Sequence, residues 1–126
     1  MKVIAKVARI IGVDQLHVGT VVGKMSETKQ EVSENCEALK KDIHGLKKTL
    51  PVASGGLYPS LIPKLIDFFG NDFVIQAGGG IHGHPKGTNC GAIAMRQAVE
   101  ATLKRITLKE YAKTHKELKF AIELWK

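Results

Sequence analysis

Three places in this chain carry residue types that could hold an anion. "VASGG" (52–56) and "QAGGG" (76–80) each run a short apolar stretch into a glycine cluster. "HVGTVVGKM" (17–25) ends a third apolar stretch with His17 and follows it with Lys24. Glycine has no Cβ, so its N–H can approach a ligand closely and its backbone can take positive φ. Successive N–H groups in such turns form a concavity for phosphate, strengthened where a helix N-terminus faces the same spot. On this basis Ser54, Gly55 and Gly56 form one candidate cradle, and Gly78, Gly79 and Gly80 another. The same glycines would also serve plain strand-to-helix turns; two clusters at corresponding points of consecutive units favour phosphate. His17 is either a ligand contact or a hydrogen-bonded core residue. Lys24, on backbone loosened by Gly19 and Gly23, is either a cation carried by a closing loop or a solvated charge.

These positions need elements to place them. Helical periodicity covers 2–11, where Lys2, Lys6 and Arg9 interrupt the apolar residues of an amphipathic helix. Strands are predicted at 14–18, 51–54 and 73–77. Helices are predicted at 27–44, closed by Gly45, at about 59–69, ended by Gly70, and at about 87–104, with one or two more in the remaining segment. Strands alternating with helices indicate βαβ units and a parallel sheet. Every glycine or polar signal falls at a strand's carboxyl end, the face on which barrels of this alternating pattern build their sites. Periodicity does not by itself separate a barrel from an open sheet, and a complete barrel takes about 250 residues, so 126 residues would make about half of one.

Composition narrows the function further. The chain is 44% hydrophobic and 25% charged, the balance of one globular domain. No apolar run approaches the roughly 18 residues of a membrane span, and the amino terminus does not read as a signal peptide, so a cytoplasmic protein is expected. The net charge of +7 is spread over helix faces among acidic residues, which points away from nucleic acid and suits a phosphorylated substrate. Cys36 and Cys90 have neither metal-ligand nor disulfide-framework spacing, and "HGH" (82–84) lacks a third ligand at zinc spacing and reads as loop. Asp14, Asp67 and Asp72 do not cluster at strand ends, so no metal site is expected in this chain. No general base or activated nucleophile stands near the glycines unless His17 serves.

"GVDQLHVGTVVGKM", "LPVASGGLYPSLIPKLIDFFG" and "IQAGGGIHGHPKGTNCGAIAMRQAVEA" closely resemble the carboxyl-terminal part of the large subunit of ribulose-bisphosphate carboxylase/oxygenase (RuBisCO), in the manner of the archaeal form III enzymes. The resemblance runs from about residue 3 to 104. It implies an α/β fold, a partial TIM (β/α)8 barrel comprising roughly strands six to eight with their helices, with residues 1–126 as one such part. It also implies a reaction, the addition of CO2 (or O2) to the enediolate of ribulose 1,5-bisphosphate, giving 3-phosphoglycerate on carboxylation. The family's cofactor is Mg2+, held by a carbamylated lysine and two acidic residues in segments that this sequence does not contain.

Carried over by resemblance, His17 helps hold one substrate phosphate and Lys24 is the mobile sixth-loop lysine that stabilises the carboxylated transition state. Ser54, Gly55 and Gly56 form the substrate-binding segment after strand seven. Gln76, Gly78 and Gly79 form the segment after strand eight, whose glycine amides hold the other phosphate. The implied partners are ribulose 1,5-bisphosphate, CO2, the amino-terminal half of a large subunit and further copies in a dimer-based homo-oligomer. The archaeal type implies nucleoside-monophosphate (AMP) salvage. Because the metal ligands and the proton-abstracting lysine lie in absent segments, the isolated chain is expected to be inactive. Two alternatives stand beside this reading: a RuBisCO-like enolase or isomerase, and a non-catalytic half-barrel that binds a phosphorylated metabolite.

Overall fold

The computed structural model describes residues 2–22 and 28–125. Helix α1 (Lys2–Ile10) leads through Gly12, at φ 89°, into strand β1 (Gln15–His17). Helix α2 (Lys29–Lys40) starts at a capping box: the Glu31 N–H donates to the Thr28 hydroxyl, and the Thr28 N–H donates back to the Glu31 carboxylate. Strand β2 (Leu50–Ser54) is followed by a single 3-10 turn and helix α3 (Ile62–Phe69), stopped by Gly70 at φ 74°. Strand β3 (Val74–Gln76), the one-turn helix α4 (Gly79–His82), the long helix α5 (Thr88–Leu103), the short α6 (Leu108–Tyr111) and α7 (Lys116–Leu124) complete the order.

The three strands form one parallel sheet in the order β1-β2-β3. His17 lies opposite Val52 and Ser54 opposite Gln76, so the carboxyl ends of all three strands share one edge. Leu16 is half-buried between exposed Gln15 and His17, the period-two signature of a strand with one covered face. The core beneath contains Val18, Val32, Leu39, Leu57, Ile62, Leu65 and Leu118, all at most 2% exposed. Helix α5 turns a small-residue stripe of Gly91, Ala94, Ala98 and Ala101 inward, and Gly91 lies so close to the Ile81 carbonyl that a Cβ there would overlap it.

Two expectations change at the start of the chain. The amphipathic helix forms, but its large apolar residues Val3, Ile4, Val7, Ile10 and Ile11 are exposed, whereas Ala5, Ala8 and Arg9 are buried. The reason is packing against α2. Arg9, 3% exposed, donates to the carbonyls of Leu46 at 2.8 Å and Lys47 at 2.9 Å, and to those of Ala38 and Lys41. These carbonyls include the orphan acceptors at the carboxyl end of α2, where a cation is also favoured by the helix dipole. Accordingly α2 ends at Lys40, short of the predicted 44, and the chain turns through His44 and Gly45, both at positive φ.

Candidate functional site

Parallel pairing brings two candidates together that lie 37 positions apart. At the ends of β1 and β2, the His17 Nδ1 and the Ser54 Oγ are 2.8 Å apart. Beyond Ser54 the chain turns through Gly55 at φ 110° and Gly56 at φ 64°, a conformation that a Cβ would oppose. On the neighbouring strand, Gln76 ends β3 and Gly78 caps α4. Gly78 accepts hydrogen bonds from Ile81 and His82 through its carbonyl, while the N–H groups of Gly78 and Gly79 donate to nothing among the described residues. Both glycines are exposed, and a Cβ on either would meet open space. Two free N–H donors, a serine hydroxyl and an imidazole thus stand along one sheet edge, a donor set suited to an anion.

Gly80 explains why the edge holds together. A Cβ on it would overlap the Leu57 carbonyl oxygen and lie 2.7 Å from the Tyr58 Cα. The segment after β3 therefore rests backbone-on-backbone against the segment after β2, which only glycine permits. The glycine run, expected as a cradle or a strand-to-helix turn, is partly helical: Gly79 and Gly80 open α4.

A serine and a histidine at 2.8 Å also have the separation of an activated nucleophile and its base. Catalysis of that kind needs a third group to orient the ring, and His17 has no other hydrogen-bond partner among the described residues. The pair is better suited to binding. Lys24 lies outside the described residues. A 490 Å³ cleft lined by Val21, Val22, Lys29, Lys64, Asp67 and Phe68 sits on the flank of α2 and α3, and no described candidate residue lines it.

The remaining expectations concern cysteine and histidine. Cys36 and Cys90 are free thiols, and burial raises the Cys36 thiol above its ordinary range. The "HGH" segment is more ordered than expected. His84 is buried, its Nδ1 accepts from the Lys86 N–H at 3.1 Å, and its Nε2 therefore donates to the Glu117 carbonyl at 2.9 Å, tying the end of α4 to α7. Sequence reasoning missed the burial of Arg9, which lies toward the amino ends of the strands, and the stacking of Tyr58, which follows Ser54–Gly56, on Trp125. Composition offered one signal it did not use, the single tryptophan, Trp125.

Residues 1–125 match the family model described as ribulose bisphosphate carboxylase large chain, catalytic domain. The chain belongs to the RuBisCO large-chain family. It is 51% identical to the ribulose bisphosphate carboxylase of Methanosarcina barkeri over 139 aligned residues, covering 99% of this chain and 32% of that protein. The octameric RuBisCO of Pyrococcus horikoshii superposes with a TM-score of 0.92 at 48% identity, covering 95% of this chain and 29% of that one. A RuBisCO-like protein from Alicyclobacillus acidocaldarius also reaches 0.92, at 32% identity, over 99% of this chain and 32% of that one. The chain thus spans about a third of the length of the relatives it matches. Its α/β fold is part of the RuBisCO large-subunit barrel, and it contains no helix long and apolar enough to cross a membrane among the described residues.

Proposed function

We propose that residues 1–126 form the phosphate-binding side of a ribulose-bisphosphate carboxylase site, as strands six to eight of its barrel. The observation that carries this reading is the 2.8 Å pairing of His17 and Ser54 on the same sheet edge as the unengaged N–H groups of Gly78 and Gly79. In this reading His17 contacts one phosphate of ribulose 1,5-bisphosphate, and Gly78 and Gly79 contact the other. Ser54, Gly55, Gly56 and Gln76 line the sugar-derived backbone between them. Backbone donors fixed in advance stabilise an anion without reorganising when it arrives. Lys24 brings a cation to the carboxylate charge that develops when CO2 adds. That interaction exists chiefly in the transition state, so Lys24 acts on turnover more than on affinity.

The described residues hold no group of three or more His, Cys, Asp or Glu side chains placed for a metal ion. They do not fit a Mg2+ site, and in this reading the cation and the proton-abstracting base are held by the rest of a large subunit. Two features favour such a partner. The apolar residues of α1 are exposed, and β1 is paired on one side only among the described residues. Assembly into a homo-oligomer is part of the same proposal, in keeping with the octameric relative. The RuBisCO-like alternative is less favoured, because the chain keeps Lys24 in "GTVVGKM" and is nearer the carboxylases in sequence.

The test is incorporation of ¹⁴CO2 into 3-phosphoglycerate with Mg2+ and ribulose 1,5-bisphosphate. It uses the chain alone and the chain mixed with the amino-terminal segment of an archaeal large subunit. Activity is expected only in the mixture, falling by about 10²–10³-fold in Lys24→Ala. A folded chain inactive in both would favour the non-catalytic half-barrel.

A further inference from the structure

Trp125 follows α7, far in sequence from either glycine segment, yet it lies beside the continuation of each, Tyr58 after the first and Gly83 after the second. Its ring stacks on Tyr58 with centroids 5.6 Å apart and planes 17° from parallel. Tyr58 belongs to the segment that runs on from Ser54–Gly56. On the other side, the indole Cζ2 lies 3.5 Å from the position a Cβ on Gly83 would take, at the end of α4. The Ser60 hydroxyl donates to the Trp125 carbonyl at 3.3 Å, and the Trp125 N–H donates to Ala121 at 3.0 Å, so the residue is anchored at both its backbone groups. Beside it, the bond from His84 to the Glu117 carbonyl fixes the chain after α4 to the same helix.

We propose that Trp125 is a positioning residue that sets the spacing between the Ser54–Gly56 and Gly78–Gly79 segments. It acts through Tyr58 on one and Gly83 on the other, and touches no ligand itself. Resting on the phosphate-binding reading above, the consequence is selective. A ligand with a phosphate at each end needs the two segments at a fixed separation, whereas a single phosphate needs only one of them. A ring packed beside both continuations adds a second joint to the one Gly80 makes with Leu57 and Tyr58, and so stiffens both segments.

Two measurements on the 126-residue chain test this. In the first, amide hydrogen exchange compares the wild type with Trp125→Ala and Trp125→Phe. Exchange should rise about tenfold in both 55–58 and 79–84 in Trp125→Ala, remain unchanged in α2, and return toward wild type in Trp125→Phe, which keeps a ring to stack. A change confined to α7 or to one of the two segments overturns the proposal. In the second, calorimetric titration compares ribulose 1,5-bisphosphate with inorganic phosphate. Trp125→Ala should weaken the bisphosphate about tenfold and phosphate less than about twofold, within the range of coupling effects transmitted through packed side chains. Equal losses for both ligands, or none, also overturn it. If the wild type binds neither ligand, the phosphate-binding reading fails on its own. The exchange experiment still decides whether Trp125 couples the two segments.

Discussion

Replacing Gly80 with alanine adds one methyl group at the point where the two glycine segments meet. That methyl would overlap the Leu57 carbonyl oxygen and sit 2.7 Å from the Tyr58 Cα and 2.8 Å from the Leu57 carbonyl carbon. Carbon atoms rest comfortably at about 3.5–4.0 Å, so the backbone after β2 must retreat by about 1 Å. Because the obstacle is main chain, no rotamer change relieves it. Forced expansion of a packed site costs about 1–3 kcal/mol. At roughly 4 °C per kcal/mol for a domain of this size, the melting temperature should fall by about 4–12 °C. Gly79→Ala is the matched control. A Cβ there meets nothing within 4 Å, and alanine in place of a helical glycine stabilises by up to about 1 kcal/mol. Its melting temperature should therefore hold or rise, while phosphate affinity falls as a methyl group crowds the free amides. Circular dichroism melts and phosphate titration of the two variants separate these outcomes. Equal melting temperatures for Gly80→Ala and the wild type would refute the close backbone packing on which the site's geometry depends.

Two further expectations concern the scaffold. Arg9→Met removes a guanidinium that donates to four carbonyls at and beyond the end of α2, one of them buried and three partly buried, leaving them without that donor. A loss of about 2–4 kcal/mol is expected, read as a lower urea midpoint with the slope retained; a midpoint within error of wild type would show that water replaces these bonds without penalty. The second concerns acid. The Thr28 N–H and hydroxyl hold the Glu31 carboxyl below its ordinary range, the Arg96 side chain and the Tyr111 hydroxyl do the same for Glu100, and the Gln97 amide together with its own backbone does so for Glu117. A carboxyl lowered in the folded state stabilises above its unfolded pKa and loses that contribution as pH falls through the folded value. The loss should begin near pH 5, just above the ordinary glutamate pKa of about 4.3, and continue below it. Urea midpoints of wild type and Glu31→Gln should therefore converge between pH 7 and pH 3.5, and a constant gap would count against the capping box as the source.

Much of this molecule is legible in one dimension. The three strands, the helices between them and the glycine-terminated strand ends follow from apolar runs, caps and breakers that act within a few residues. So do the closely resembling motifs that led to the family, since "VASGG" and "QAGGG" are local in the chain. Helix direction is a different matter. Spacing marks Lys2, Lys6 and Arg9 as the polar interruptions of an amphipathic helix, yet Arg9 is buried and Ile10 and Ile11 are exposed, because the carbonyls that Arg9 meets belong to residues about 30 to 40 positions later. The pairing of His17 with Ser54, the seating of Gly80 on Leu57 and the contact of Trp125 with Tyr58 have the same origin. The sequence by itself determined which residues could bind an anion and which elements carry them, through short-range preferences of each residue. Only the tertiary structure decided which of them meet, because parallel pairing and helix packing join positions that no local period relates.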